Sequence, residues 1–88
     1  MIECKVKIIN KAGLHTRPAA NLVKMASRYQ CDFYIERDGL RINGKSIIGV
    51  MTLAAENGSE LILEFNGIDE DKAAEEIISY FERGFDEI

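Results

Sequence analysis

The sequence lacks an excess of positive charge. Among its 88 residues, Lys and Arg total 11 while Asp and Glu total 15, so the formal net charge is −4 at pH 7. A protein that binds the phosphate backbone of nucleic acids needs Lys and Arg in clustered excess. We therefore expect no nucleic acid among the partners of this protein.

Long apolar runs are also missing. The chain contains no stretch of about 18 apolar residues, the length that suggests a membrane-spanning helix. It does not start with basic residues followed by an apolar run, the pattern of a secretory signal peptide. These absences predict a cytoplasmic protein without membrane insertion.

At 88 residues the chain is long enough for one core only, and we expect a single domain over 1–88.

Cysteine is scarce and is not spaced for a site. Cys4 and Cys31 lie far apart, show neither CxxC nor CxxH spacing, and each falls in an alternating apolar run. We interpret both as core or sheet residues. The sequence therefore predicts no disulfide, no metal site and no cofactor.

The only histidine and the only proline lie in one stretch, residues 10–20. Gly13 can adopt backbone angles that are barred to other residues, and Pro18 is tolerated in the first turn of a helix. This stretch therefore predicts a loop and then a helix that begins near Thr16, with His15 just before the helix.

His15 and Arg17 have the chemistry of a site that carries phosphate. A neutral imidazole nitrogen can attack a phosphoryl group, and arginine adds a fixed cation with a planar donor fork. The N-terminus of a helix adds unpaired N–H groups and the positive end of its dipole. A motif as short as His-x-Arg-Pro has a high rate of chance matches, so on this motif alone a cap or surface role for His15 is favoured.

Apolar periodicity predicts the element order β-α-β-β-α-β-α, an α+β fold with three helices on one face of a four-stranded antiparallel sheet. Gly84 is the expected end of the last helix, and Phe85 and Ile88 are expected to pack back onto the domain. The predicted strands are Ile2–Ile8, Cys31–Glu36, Leu40–Asn43 and Leu61–Phe65, and the predicted helices begin near Thr16, Ile47 and Asp69. The predicted buried helix positions are Ala19, Leu22, Val23, Ala26, Ala74, Ile77, Ile78 and Phe81.

One face of the first predicted helix is polar and mostly cationic. A stripe of this kind is usually an ordinary solvated face, but beside His15 it would also steer negatively charged partner surfaces. Both interpretations stay open. The stripe consists of Arg17, Asn21, Lys24 and Arg28.

Residues 39–46 match the phosphate-loop pattern G-x-x-x-x-G-K-S. Their alternation after Asp38-Gly39 is typical of a hairpin strand, not of a loop that wraps a phosphate. We interpret the match as chance and do not expect nucleotide hydrolysis.

Ser46 stands directly before an apolar run, and serine is a good N-cap, so a short helix is predicted from Ile47. The apolar residues of two helical turns cannot all face inward, which favours an exposed docking surface with an adaptable methionine. In the alternative interpretation Ile47, Val50 and Leu53 are core residues and the others are incidental.

Together, Gly-Leu-His15-Thr-Arg17-Pro18-Ala and Lys45-Ser46-Ile-Ile-Gly-Val-Met-Thr-Leu resemble the two motifs of the HPr family, and the resemblance runs nearly end to end. This family comprises the histidine-containing phosphocarriers of the bacterial phosphoenolpyruvate-dependent phosphotransferase system. The resemblance implies an open-faced β-sandwich that accepts a phosphoryl group on Nδ1 of His15 from enzyme I. It passes the group to enzyme IIA components during carbohydrate uptake, as a carrier with a phosphohistidine intermediate and not as an enzyme.

The resemblance also implies a role for each matching residue. His15 is the phosphoryl carrier, Arg17 is its charge partner, and Thr16 and Arg17 supply backbone N–H groups. Ser46 occupies the site that a dedicated kinase, HPr kinase/phosphorylase, phosphorylates in many relatives. We expect a monomer whose partner-docking residues are Ala20, Asn21, Lys24, Ile47, Ile48 and Met51.

Two alternatives remain open. Asn21 and the Gly-Phe-Asp-Glu ending resemble the nitrogen-related branch of the family, whereas the motif around Ser46 resembles the carbohydrate branch. The alternatives to a phosphocarrier for carbohydrate uptake are therefore a nitrogen-branch phosphocarrier and a regulatory docking module controlled through Ser46 phosphorylation.

Overall fold

A four-stranded antiparallel sheet forms one layer of the computed structural model, which describes residues 1–88. Three helices and a short 3₁₀ turn, Gly84–Asp86, follow the predicted order and confirm the α+β fold. The strands lie side by side in the order β1-β4-β2-β3. The elements are β1 (Ile2–Lys7), α1 (Thr16–Ser27), β2 (Asp32–Arg37), β3 (Leu40–Asn43), α2 (Ile47–Thr52), β4 (Glu60–Asn66) and α3 (Glu70–Glu82).

The core lies between the sheet and the helices. Alternate residues of the central strands point into it, and Phe33 of β2 stacks on its register partner Phe65 of β4 with 4.8 Å between ring centroids. The opposite face of the sheet is polar; there Arg41 pairs with Glu64 at 2.7 Å. This one-sided burial is what period-two alternation of apolar residues predicts.

The cysteines lie where the sequence places them. Cys31 is buried, Cys4 is partly buried, and both are free thiols. Burial raises the pKa of each thiol above its ordinary value.

None of the helices is long and apolar enough to cross a bilayer.

Residues 39–46 form part of a hairpin, as predicted. Leu40–Asn43 is strand β3, paired with β2. Lys45 donates from Nζ to the carbonyl oxygen of Tyr29 at 2.7 Å, so its ammonium group serves a structural contact. The motif is therefore not a phosphate loop in this fold.

Several burial predictions need correction. Ile88 does not join the core: its side chain lies near Gly84 on the C-terminal turn and is 76% exposed. Val23 and Ile78 are only partly buried. Tyr80 of α3 is buried instead, since its hydroxyl accepts a hydrogen bond from Asn21 Nδ2 at 3.3 Å. The polar end of Tyr80 is thereby satisfied, and the ring packs like an apolar one.

Helices α1 and α3 are antiparallel neighbours. Near the end of α1, Arg28 NH2 and Tyr29 OH both donate to the carboxylate of Glu76, at 2.6 and 2.5 Å. Further towards the start of α1, Asn21 contacts Tyr80. A residue nearer the start of α1 therefore contacts a residue nearer the end of α3, as in an antiparallel pair of helices. This arrangement brings the start of α1 to the end of α3.

Candidate functional site

The loop before α1 is docked firmly on the rest of the protein. The backbone N–H of Leu14 donates to the carbonyl oxygen of Ala55 at 2.9 Å, and the Leu14 side chain is buried. Gly13 has φ +73, and a Cβ there would lie 2.7 Å from the same carbonyl oxygen. Only glycine fits this approach and this angle. The loop therefore fixes where His15 enters the helix.

His15 is the N-cap residue of α1, directly before the helix as predicted. Its carbonyl oxygen accepts the first hydrogen bond of the helix, from Ala19 N at 2.9 Å. No side chain, including that of His15, makes a capping hydrogen bond at this end of the helix. The N–H groups of Thr16 and Arg17 thus remain available to an anion, and Pro18 has none to offer.

The imidazole of His15 lies at the surface but has an anionic neighbour. Its Nε2 is 2.8 Å from Oε2 of Glu87, and Arg17 NH2 lies 3.2 Å from the same oxygen. The side chains of His15 and Arg17 are 39% and 77% exposed. Because no protein group bonds Nδ1, this nitrogen is the one that is free to react.

Glu87 is a site residue that the sequence analysis missed. Besides its contacts with His15 and Arg17, its Oε1 accepts from Asn10 Nδ2 at 2.7 Å. The hydrogen bond from Asn10, followed by those from His15 and Arg17, holds the pKa of the Glu87 carboxyl below its ordinary value. Glu87 is therefore an anion near neutral pH.

The C-terminal turn places Glu87 at the site. Phe85 is buried, with its ring 5.1 Å from the rings of both Tyr80 and Phe81. The turn is closed by a hydrogen bond from Glu87 N to Gly84 O at 3.1 Å. Since Glu87 lies 72 residues from His15 along the chain, no local pattern indicates their contact.

A shallow cavity of about 410 Å³ opens between the loop, the start of α1 and the C-terminal turn. His15, Arg17 and Glu87 line it together with Lys11 and Ala12. The lining is polar and largely charged, which suits a small anion better than an apolar substrate.

The polar stripe of α1 is less cationic than its sequence indicates. Arg28 is paired with Glu76 and Arg17 with Glu87, while Asn21 donates to Tyr80. Lys24 is exposed and has no carboxylate partner. The positive charges of Arg17 and Arg28 are thus partly neutralised by the carboxylates of Glu87 and Glu76, which lie on other elements of the fold.

Helix α2 presents an apolar patch beside His15. Ser46 caps the helix as predicted, its Oγ accepting from Gly49 N at 3.1 Å. Ile48 is 78% exposed, and Met51 lines a second shallow cavity together with His15. The alternative that placed Ile47 in the core is wrong, since Ile47 is exposed, although Val50 and Leu53 are buried. We call Ile47, Ile48 and Met51 the α2 patch.

Ala54, beside the docking point of Leu14, has left-handed backbone angles with φ +48. Such angles favour glycine, so we expect Ala54→Gly to raise the free energy of unfolding by about 0.5–1 kcal/mol. Urea denaturation of both proteins measures the difference. Exposed Ala20, in the middle of α1, offers a matched control, because Ala20→Gly should lower stability by a similar amount. Equal losses in both variants would contradict the assigned strain.

Comparison with known proteins identifies relatives that span almost the whole chain. Residues 2–83 match the family model PTS-HPr, described as the PTS HPr component phosphorylation site. The chain is 45% identical over 87 residues to phosphocarrier protein HPr of Treponema pallidum, covering 99% of each chain. It is 42% identical over 80 residues to the HPr-like protein Crh of Bacillus subtilis, covering 91% of this chain and 94% of Crh. Among solved structures, HPr-C-His from Thermoanaerobacter tengcongensis superposes with a TM-score of 0.96 at 38% identity, covering 100% of this chain and 99% of that one.

Proposed function

This chain belongs to the HPr family of phosphocarrier proteins of the phosphotransferase system, and we propose that His15 is the residue that carries its phosphoryl group. Enzyme I supplies the group from phosphoenolpyruvate, and an enzyme IIA component removes it in the course of carbohydrate uptake. The observation that carries this proposal is the unbonded Nδ1 of His15 beside Arg17 and the uncapped start of α1. We place the protein in the cytoplasm, where phosphoenolpyruvate is formed.

The mechanism is an in-line displacement at phosphorus. The lone pair of Nδ1 forms the N–P bond while the bond between phosphorus and the donor's nucleophile breaks, and that electron pair leaves with the donor. The N–H groups of Thr16 and Arg17 and the guanidinium of Arg17 stabilise the charge on the phosphoryl oxygens. The residues present thus provide the positive charge that the transfer needs.

We propose that partners dock on the exposed residues around His15. The α2 patch supplies apolar contact area, and Lys24 supplies a cation that has no carboxylate partner within the chain. Apolar contact with a polar rim is the usual composition of a transient interface. The docking surface comprises Ala20, Asn21, Lys24, Ile47, Ile48 and Met51, and the monomeric state of the chain stays a prediction.

Incubation with phosphoenolpyruvate, magnesium and enzyme I tests the carrier function. We expect one phosphoryl group, labile in acid, which peptide mapping places on His15. An acid-stable phosphoester would instead indicate a serine. Failure of the wild-type protein to accept phosphate would contradict the proposal.

Regulation through Ser46 is a second function, favoured by the position of this residue at the cap of α2 and next to the α2 patch. A phosphate at this helix start would be stabilised by the dipole, and it would add about two negative charges to the docking surface. HPr kinase/phosphorylase is the partner that this role requires.

Ser46→Asp separates charge from stability, because aspartate is also a good N-cap. We expect it to leave the free energy of unfolding within about 0.5 kcal/mol of wild type and to slow phosphate acceptance about tenfold. Ser46→Ala, the matched control, should lose about 1 kcal/mol of stability and accept phosphate at the wild-type rate. Equal rates for Ser46→Asp and wild type would speak against charge control at this site.

A further inference from the structure

Glu87 faces the ring nitrogen opposite the one that would carry phosphate. We propose that Glu87 is a positioning residue which keeps the proton of His15 on Nε2, so that Nδ1 presents its lone pair to the incoming phosphoryl group. This inference rests on the proposed function of His15. It concerns a residue outside the part of the chain that matches the family model, which ends at residue 83.

The donor and acceptor roles follow from the hydrogen bonds around Glu87. An ionised carboxylate only accepts, so the ring nitrogen at 2.8 Å must donate, and Nε2 carries the proton. In a neutral imidazole the other nitrogen is then unprotonated. The contact with Glu87 therefore selects the tautomer in which Nδ1 is nucleophilic.

Buried Asn10 holds the carboxylate in this orientation. Its Nδ2 donates both to Glu87 Oε1 and to the carbonyl oxygen of Gly13, at 2.7 and 2.8 Å. Because both neighbours are acceptors, the amide can point its nitrogen in only one way. Its Oδ1 remains buried without a partner, a cost that the contact with Glu87 helps to offset.

Arg17 is the more weakly held partner of Glu87. Its NH2 group lies 3.2 Å from Oε2, and its side chain is 77% exposed. A phosphoryl dianion on Nδ1 would attract this guanidinium more strongly than one carboxylate oxygen does. Arg17 can therefore turn to the phosphoryl group while Asn10 and His15 retain Glu87.

The carboxylate also balances the charge that the transfer creates. When Nδ1 forms the N–P bond and the bond from phosphorus to the donor breaks, the proton stays on Nε2 and the ring becomes positive. Glu87 lies next to that charge, as a buried aspartate does in catalytic triads. When an acceptor takes the phosphoryl group, the N–P electron pair returns to Nδ1 with the proton still on Nε2. The contact thus favours acceptance by offsetting the charge of the ring, and it serves donation by keeping on Nε2 the proton with which the ring leaves phosphorus as a neutral imidazole.

Glu87→Gln tests the role of the carboxylate without changing the size of the side chain. Asn10 still needs an acceptor, so the glutamine oxygen will face Asn10 and its NH₂ group will face Nε2 of His15. The NH₂ group donates, which favours the opposite tautomer with the proton on Nδ1. Nitrogen-15 NMR of the ring in alkaline solution should show this change. The transfer rate at saturating phospho-enzyme I should fall about tenfold, with little change in the half-saturating concentration.

Two further variants separate positioning from structural damage. Glu87→Ala removes the acceptor without supplying a donor, so its rate should lie between those of wild type and Glu87→Gln. Asp86→Asn, the control, removes a neighbouring carboxylate that pairs with Arg83, and should match wild type in rate and tautomer. A rate loss equal in Glu87→Ala and Glu87→Gln, or an unchanged tautomer in Glu87→Gln, would overturn the inference. Those results would leave the carrier function intact provided that wild type still accepts phosphate on His15.

Discussion

Replacing His15 with alanine will abolish phosphate acceptance. We expect the initial rate of incorporation from phosphoenolpyruvate and enzyme I to fall by at least about 10⁴-fold, because His15 is the only histidine and the variant has no imidazole to attack phosphorus. The imidazole is 39% exposed and contributes a contact with Glu87 but no core packing. The fold should therefore persist. Transfer of labelled phosphate measures the effect.

The control for this experiment is Gln30→Ala, which changes an exposed residue beyond the end of α1. It should accept phosphate at the wild-type rate. Labelling of the His15 variant at a substantial fraction of the wild-type rate would show that another residue carries the phosphoryl group. Loss of labelling in both proteins would indicate that the assay itself had failed.

Arg17→Ala should slow transfer by about 10²-fold, the effect of removing one donor that stabilises a developing oxyanion. The guanidinium of Arg17 and the imidazole of His15 contact the same carboxylate oxygen of Glu87, at 3.2 and 2.8 Å. Its ion pair with Glu87 is exposed on the arginine side, so the free energy of unfolding should change by less than about 1 kcal/mol. Single-turnover transfer from phospho-enzyme I measures the rate, and urea denaturation measures the stability.

Arg17→Lys distinguishes the charge of Arg17 from its geometry. Lysine keeps a cation but lacks the planar fork, so its rate should lie between those of wild type and Arg17→Ala. A wild-type rate in Arg17→Ala would show that the backbone N–H groups of the helix suffice. A large loss of stability in Arg17→Ala would show instead that the ion pair with Glu87 is structural.

The elements could be predicted because their signals are local. Alternation defines the strands, Pro18 and Ser46 mark helix starts, and Asp38-Gly39 marks the hairpin turn. His15 at the start of α1 followed from the same local rules. Each of these features depends on residues within a few positions of one another, and such patterns survive in a single sequence.

The missed features of the site and of α1 depend on pairs that are distant in the sequence. Glu76 offsets Arg28, and Glu87 offsets Arg17, so the stripe of α1 carries less free charge than its composition indicates. Burial of Tyr80 required knowledge of its partner Asn21. A lone glutamate near the end of a chain has no local pattern, and only the folded C-terminal turn reveals its contact.

A distant pair also shapes the site at His15. The imidazole ring of His15 is partly exposed. Its Nε2, however, is engaged by a carboxylate that Asn10 fixes. The site is therefore an anion-binding helix start with one ring nitrogen held and the other free.

Long-range hydrogen–nitrogen correlation NMR of the phosphorylated protein, labelled with nitrogen-15 in histidine, tests this view most directly. Enzyme I and phosphoenolpyruvate supply the phosphoryl group, and the spectrum identifies the ring nitrogen bonded to phosphorus. We predict that His15 is modified on Nδ1. Phosphate on Nε2, or an unmodified His15 ring in a protein that has taken up phosphate, would contradict the account.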